Sequence, residues 1–135
     1  MLSKRTKYGL RALIYLAREQ ENSPVQIGMI AKHERISQKF LESILLTLRK
    51  GGILGSRKGK GGGYYLLQKP EDIKMVTIIR SLEGPIALVP CVSLNFHEDC
   101  DDCIDMDNCT IRMFMTELRD CTLSIFNNRS LADLI

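Results

Sequence analysis

Four cysteines in the second half of the chain have the residue type and spacing best suited to chemistry. They lie within nineteen residues as C-x8-C-x2-C-x5-C, at positions Cys91, Cys100, Cys103 and Cys109. Four thiolates this close in sequence can ligate an iron–sulfur cluster or a tetrahedral zinc ion. The stretch lacks periodic apolar residues, so ordinary core packing explains the cysteines less well. We therefore predict a metal site, which holds either an iron–sulfur cluster (2Fe-2S or 4Fe-4S) or zinc.

The residues around these cysteines are acidic. Six aspartates and glutamates, and no lysine or arginine, lie between positions 91 and 109. Their charge is expected to raise the pKa values of the thiols, which argues against a free reactive cysteine. A bound metal compensates that charge. His97 is an alternative ligand in the same stretch, and Cys121, which lies apart, has the spacing of a packing residue in a helix.

A second group of polar residues has the types and spacing of a DNA-binding helix. Ser37 is placed as the N-cap of a helix that runs to about Lys50 and has leucines and isoleucines along one face. The N-terminal part of a recognition helix reaches base edges and phosphates, where lysine donates to guanine and glutamate accepts from cytosine N4. The predicted DNA-binding residues of this helix are Ser37, Gln38, Lys39, Phe40, Glu42 and Ser43.

A short β-hairpin is predicted directly after this helix. Two glycines end the helix, and short strands at 53–54 and 64–67 flank a basic, glycine-rich turn. Arg57, Lys58 and Lys60 in this turn are expected to neutralise DNA phosphates. The helix and the hairpin together predict a winged helix-turn-helix, in which the helix enters the major groove.

Charge is divided unequally along the 135-residue chain. Residues 1–69 contain 14 Lys and Arg against 4 Asp and Glu, a formal charge of +10, whereas residues 70–135 contain 5 against 12, a charge of −7. This asymmetry predicts a polyanionic partner for the first half. We find no Ser-His-Asp set, paired-carboxylate site or phosphate-binding glycine loop, and predict that the protein is not an enzyme. The expected location is cytoplasmic, with no membrane partner, because the sequence shows neither a signal-peptide pattern nor a long apolar run.

The remaining periodicity predicts the helices that position these groups. Helices are expected at about 4–20, 26–33, 73–82 and 110–126. Apolar residues of the last helix alternate three and four apart, as in a helix that packs along another helix. These residues are Ile111, Phe114, Leu118, Cys121 and Ile125. We predict a homodimer built on this helix; the alternative is a helix that packs only on its own subunit.

The expected fold class is mainly α with a small β-hairpin wing: a winged helix-turn-helix followed by a long C-terminal dimerisation helix. Residues 1–84 are expected to form the DNA-binding domain and residues 85–109 a cysteine-rich sensor loop. Residues 110–135 are expected to form the dimerisation helix and a short closing helix capped by Ser130. The three parts are expected to make one compact unit.

Several motifs resemble the Rrf2 family of bacterial transcription regulators. They are YGLRAL at 8–13, IS at 36–37 with FLE at 40–42, LRKGG at 48–52, KGGGY at 60–64 and SLADL at 130–134. The resemblance covers almost the whole chain. It implies a homodimer that binds roughly palindromic double-stranded DNA as a repressor or an activator.

The resemblance also bears on the cysteines. Cluster-bearing members have three cysteines after the fourth helix, the last two separated by five residues. The matching positions here are Cys91, Cys103 and Cys109. Their fourth ligand is a histidine three residues after the last cysteine or a carboxylate from the partner's first helix, and these positions here are Arg112 and Lys7. Cys100, which lies within a longer first gap, is the preferred substitute.

The leading hypothesis is a DNA-binding transcriptional regulator whose operator affinity is controlled by an iron–sulfur cluster in the cysteine-rich loop. The alternative within this fold is a zinc-structured or metal-free, thiol-responsive regulator. A protein of another class, an iron–sulfur carrier or thiol-redox protein, would use the winged helix for protein contacts. Nucleic-acid binding by such a protein is expected to depend little on salt.

Overall fold

The first three helices surround one core because their apolar residues recur at helical spacing. A computed structural model describes residues 2–135. The helices are α1 at Lys4–Arg18, α2 at Ile27–Glu34 and α3 at Gln38–Lys50. Ser3 and Ser37 cap α1 and α3, and each hydroxyl accepts the backbone N–H three residues ahead. The predicted capping role of Ser37 is confirmed.

The apolar face of α3 forms the centre of this core. Leu41, Ile44, Leu45 and Leu48 are fully buried, and burial of each such side chain contributes roughly 1.5–3 kcal/mol. The helix packs against α1, α2 and α4 (Met75–Leu82). Its apolar face is therefore covered, and its opposite face remains free for a partner.

An antiparallel hairpin follows α3, with strand β1 at Leu54–Arg57 and strand β2 at Gly63–Leu66. The predicted hairpin is present. Strand β1 begins one residue later, and strand β2 one residue earlier, than the apolar pattern indicated. Val25 and Tyr64 exchange two backbone hydrogen bonds of 2.9 and 2.8 Å. A Cβ at Gly63 would lie 2.3 Å from the Val25 carbonyl oxygen, so only glycine allows this close approach of the hairpin to the α1–α2 connection.

The second half of the chain packs on the first through α4. The long helix α5 spans Thr110–Asn128 and packs against α4, and a closing 3₁₀ turn spans Leu131–Leu134. Ser130 and Asp133 form a capping box on this turn, which buries Leu131 completely. The predicted closing element is thus confirmed as a single turn.

Helix α5 leaves most of its apolar side chains uncovered. Within residues 2–135 only one residue of this helix, Leu123, is fully buried. Four exposed apolar residues spaced three, four and seven apart, which we call the α5 stripe, are Ile111, Phe114, Leu118 and Ile125; Met113 is exposed outside this stripe. Cys121 lies on the same side and is exposed in a single chain, so the predicted packing role of Cys121 is not fulfilled within one subunit. No helix in the described part of the chain is long and apolar enough to cross a membrane.

Candidate nucleic-acid interface and cysteine cavity

The front of α3 carries the polar residues that the sequence assigned to DNA contact. Ser37, Gln38, Lys39 and Glu42 are exposed. Phe40 is half-buried and packs edge-on against the Tyr8 ring at 5.8 Å. The aromatic residue and the capping Ser37 therefore have structural contacts, whereas Gln38, Lys39 and Glu42 are free to meet a partner.

Two arginines that the sequence analysis missed hold this surface in place. Arg5 on α1 donates to the Ser43 hydroxyl at 2.9 Å, to the Ser43 carbonyl oxygen at 3.1 Å and to Thr47 Oγ1. Arg49, near the end of α3, donates to Ser56 Oγ on β1 at 3.0 Å. These bonds tie the recognition helix to α1 and to the wing. Neither arginine has a distinctive spacing in the sequence, since each contact joins different elements.

The wing presents Arg57, Lys58 and Lys60, all of which are exposed. The Arg57 guanidinium lies 5.7 Å from the centre of the Tyr65 ring, which restricts its reach. Gly59 has a φ of 87°, a conformation that favours glycine in this tight turn. Three cationic side chains therefore stand at the turn without a carboxylate partner in the described chain.

A groove of about 430 Å³ joins the wing to the two helices of the helix-turn-helix. Gln26 and Gly28 line it from the start of α2, Gln38 from the start of α3, and Arg57 and Tyr64 from the hairpin. The elements predicted to contact DNA thus share one side of the molecule.

The four cysteines singled out by their spacing line a single cavity of about 440 Å³, here called the cysteine cavity. Cys91 is buried in the 3₁₀ turn Pro90–Val92, Cys100 and Cys109 are half-buried, and Cys103 is exposed. The structure thus brings the four predicted ligands to one cavity. Their distances are not those of a formed metal site: within residues 2–135 no three Cys, His, Asp or Glu side chains are placed to hold a metal ion.

The thiol pKa values are shifted in the direction expected from the acidic surroundings. A hydrogen bond with the Cys91 side chain, followed by partial burial and the charges of neighbouring thiols and Asp102, raises the pKa of Cys100. Desolvation, followed by the charges of Cys109 and Asp99, raises the pKa of Cys103. Without a positive partner, these two thiols favour their protonated forms.

The first turn of α5 borders the cysteine cavity. Cys109 is the N-cap of this helix, and its Sγ accepts the Arg112 backbone N–H at 3.4 Å. Arg112 also lines the cavity, and its Nε is buried without a hydrogen-bond partner. His97, the alternative ligand, does not line the cavity, and its Nε2 lies 3.0 Å from Asp99 Oδ1.

The cavity is mechanically connected to α5. The Pro90–Val92 turn packs against α5, and Arg119 donates to the Val92 carbonyl oxygen at 2.7 Å. Helix α5 packs on α4, which in turn packs on the recognition helix α3. A continuous set of contacts therefore leads from Cys91 to α3, the helix predicted to contact DNA.

Comparison with known proteins agrees with this geometry. The model of the Rrf2 family, described as an iron-dependent transcriptional regulator, matches residues 2–135. The chain belongs to the Rrf2 family. It is 38% identical to an rrf2-like HTH-type transcriptional regulator of Rhodobacter capsulatus over 138 aligned residues, which cover 100% of this chain and 92% of that protein.

Two solved structures of Rrf2-family regulators are similar over nearly the whole chain. CymR of Bacillus subtilis, the global cysteine regulator of that organism, has a TM-score of 0.79 and 30% identity. The match covers 99% of this chain and 95% of that chain. IscR of T. potens has a TM-score of 0.76 and 28% identity, with 99% and 85% covered. The winged-helix fold is thereby confirmed, and the protein is a DNA-binding transcriptional regulator, not an enzyme.

Proposed function

We propose that this Rrf2-family regulator binds a roughly palindromic operator as a homodimer, with an affinity controlled by an iron–sulfur cluster. The ligands are Cys91, Cys103, Cys109 and, in the fourth place, Cys100. The observation that carries the proposal is the meeting of four thiols at one cavity that is also lined by a cation, Arg112. Thiolate sulfur is the ligand that iron–sulfur clusters require.

The DNA contacts proposed for each subunit follow from the exposed polar front of α3 and from the wing. Residues of the first turns of α3 read base edges, while wing cations contact phosphates. The α3 residues are Ser37, Gln38, Lys39, Phe40, Glu42 and Ser43, and the wing residues are Arg57, Lys58 and Lys60. Ser43 accepts a hydrogen bond from Arg5, and Phe40 contacts Tyr8. These two residues therefore hold the DNA surface in place in addition to contacting DNA.

The α5 stripe supports the proposed homodimer. Four large apolar side chains stay exposed along one side of this helix, with Ile111 63% and Ile125 56% accessible in a single chain. Pairing with a second copy removes this apolar area from water. A two-fold dimer also places two recognition helices at the fixed separation that successive major grooves require.

The cavity is better suited to an anionic, sulfur-ligated cluster than to a bare metal cation. The thiols supply the ligands, and Arg112 supplies an unused donor beside them. A cluster bound there adds sensitivity to iron supply and to oxidants. Since the thiols are not at bonding distances in this structure, the loop 93–108 must draw in around the cavity when all four act as ligands.

Movement of this loop can change DNA affinity through α5. Cys91 and Cys109 lie at the two ends of the loop, one in the turn that packs on α5 and the other at the N-cap of α5. Displacement of this helix alters its packing on α4 and thus the relative angle of the two recognition helices. This is the route by which we infer that the cysteine cavity controls operator binding.

One observation favours a second candidate, a metal-free thiol switch. The Cys91 side chain is the largest cause that raises the pKa of the Cys100 thiol, and both cysteines line the same cavity, so these two sulfurs are candidate partners for a disulfide. Its formation removes two protons and two electrons from the thiols and reduces a peroxide-class oxidant. In this candidate the same loop and α5 carry the signal, without iron.

The decisive experiment is anaerobic purification with measurement of iron, acid-labile sulfide and zinc per chain. An operator is first selected from random duplex DNA, and affinity for it is compared before and after exposure to air. Iron and sulfide in similar amounts, together with an affinity change that is lost in Cys103→Ser, are expected. Zinc without sulfide contradicts the cluster, as does a metal-free chain that cannot be reconstituted. A disulfide-dependent affinity change in the metal-free chain indicates the thiol switch instead.

Salt dependence separates a regulator from a protein that uses the winged helix for protein contacts. Phosphate neutralisation by several lysines and arginines predicts a steep linear fall of log affinity with log salt concentration. A nearly flat dependence contradicts the proposed DNA surface.

A further inference from the structure

We infer that Arg112 is a positioning residue of the cysteine cavity, whose guanidinium donates to a sulfur of the bound cluster and stabilises its more reduced state. The inference rests on the proposed function, because it concerns the group that the four cysteines hold. It assigns a role to a side chain that is not itself a ligand.

The starting observation is the single cation in the lining of the cysteine cavity. Arg112 is half-buried, and no other lysine or arginine of the described residues lines this cavity beside the four thiols. Its Nε is shielded from solvent and has no hydrogen-bond partner in the described chain. Because arginine stays protonated in proteins, its charge is always present next to the thiols. An anionic group that joins the cavity compensates this charge.

The two carboxylates that line the cavity do not pair with Arg112 in the described chain. Asp105 accepts from the Asn108 side chain at 2.6 Å and from the backbone N–H groups of Asp107 and Asn108. Asp102 is exposed. The chain thus leaves the charge of Arg112 for an occupant.

The chemistry of that occupant follows from the donors that line the cavity. Four thiolates around iron or zinc carry an excess of negative charge, and sulfur accepts hydrogen bonds from cluster-facing donors. A guanidinium next to such a group lowers the energy of the state that has gained an electron. Arg112 therefore raises the reduction potential and slows the loss of iron.

The test compares Arg112→Met, which keeps the apolar stem, with Arg112→Lys, which keeps the charge without Nε. Arg129→Met is the matched control, because Arg129 is an exposed cation at the other end of α5. The anaerobically reconstituted proteins are titrated for midpoint potential by visible absorption, and iron release to a chelator is timed. Circular dichroism checks that each variant is folded.

Arg112→Met is expected to have a lower potential and to release iron about tenfold faster than wild type, in line with the loss of an outer-shell partner. Arg112→Lys should fall between the two, and Arg129→Met should match wild type. A folded Arg112→Met that takes up no iron, beside a wild type that does, also supports the role of Arg112.

Equal potential and release rate in wild type and Arg112→Met overturn the inference and leave the cluster proposal intact. If Arg112→Met does not fold, an Arg112→Lys protein identical to wild type in both measurements overturns it. A wild type that takes up neither iron nor sulfide overturns the proposed function itself. The two failures are therefore distinguishable.

Discussion

On the DNA-facing side of the molecule, the polar groups that hold the surface in shape find partners inside the chain. Arg5 bonds Ser43 and Thr47, and Arg49 bonds Ser56. Beside the cysteine cavity the situation is reversed. Arg112 Nε is buried without a partner, and the thiols line a cavity without forming a metal site.

The difference indicates that the two regions depend on their partners in different ways. The recognition helix rests on a fully buried apolar face and is shaped before DNA arrives, as expected for a surface that must read a fixed groove. The acidic cysteine stretch contains little regular structure between 93 and 109. Its arrangement must depend on what occupies the cavity, which is the property that a sensor requires.

The largest effect is expected from a substitution that disrupts the proposed dimer interface on α5. Phe114→Glu places a charge on the α5 stripe, where pairing with a second copy would bury it. We expect a monomer, with operator affinity reduced on the order of a thousandfold toward non-specific binding. Light scattering and a DNA shift assay measure the two effects.

The matched control is Asn127→Glu, an exposed position on the opposite side of the same helix. It should remain dimeric. A Phe114→Glu protein that also stays dimeric and binds the operator normally contradicts the assignment of the stripe.

A second prediction tests the preformed core of the DNA-facing region. Leu45→Ala removes a fully buried side chain from the centre of α3 and should lower the free energy of unfolding by about 2–5 kcal/mol. Urea denaturation at one fixed chain concentration measures this loss. Leu46→Ala is the control, because the Leu46 side chain is 38% exposed on the same helix. A loss of unfolding free energy in Leu46→Ala as large as in Leu45→Ala contradicts the division of α3 into a buried and an exposed face.

The third prediction separates base contact from phosphate contact on the DNA surface. Lys39→Ala should weaken binding by about 1–3 kcal/mol and relax sequence preference, whereas Lys58→Ala should weaken all sequences alike and reduce the salt slope by about one per subunit. Competition binding at several salt concentrations distinguishes them. Lys74→Ala, an exposed lysine outside the proposed surface, serves as the control. Unchanged operator affinity in both Lys39→Ala and Lys58→Ala contradicts the proposed DNA-binding surface.

The sequence was sufficient for the regions with strong periodicity and end signals. Ser37 has the N-cap oxygen that starts α3, and the alternating apolar residues of α5 predict its length to within two residues. The charge asymmetry and the glycine-rich turn predict which side faces DNA. These features depend on neighbours along the chain, which a sequence displays directly.

The contacts that position the site were not predictable in the same way. Arg5 and Ser43 are 38 residues apart, and no local pattern relates them. The cysteine spacing predicted a metal site, but the distances between thiols depend on an irregular loop without periodic packing. The sequence singled out Arg112 only because it stands at the position of a histidine ligand in cluster-bearing members of the family. Its shielded Nε is visible only once the first turn of α5 is placed beside the cavity.

The smallest predicted effect concerns the junction between the two regions. Glu83, just after α4, accepts hydrogen bonds from Thr6 Oγ1 and from Ser3 N and Oγ at the start of α1. The Thr6 hydroxyl is the main cause that lowers the pKa of the Glu83 carboxyl below its ordinary value of 4.5, followed by Ser3, while burial opposes the shift. The carboxylate therefore stabilises the fold at pH values above about 4.5, and this contribution is lost as pH falls through the lower pKa of the folded state.

Thr6→Val removes the main donor while keeping the shape of a completely buried side chain. We expect a loss of about 1 kcal/mol in unfolding free energy at pH 7. The difference from wild type should shrink below pH 4, because the carboxyl becomes protonated in both proteins. Thr77→Val, at an exposed position of α4, should have no such pH dependence. A Thr6→Val difference that stays constant between pH 7 and pH 3 would show that the methyl packing of residue 6, and not its bond to Glu83, joins α1 to α4.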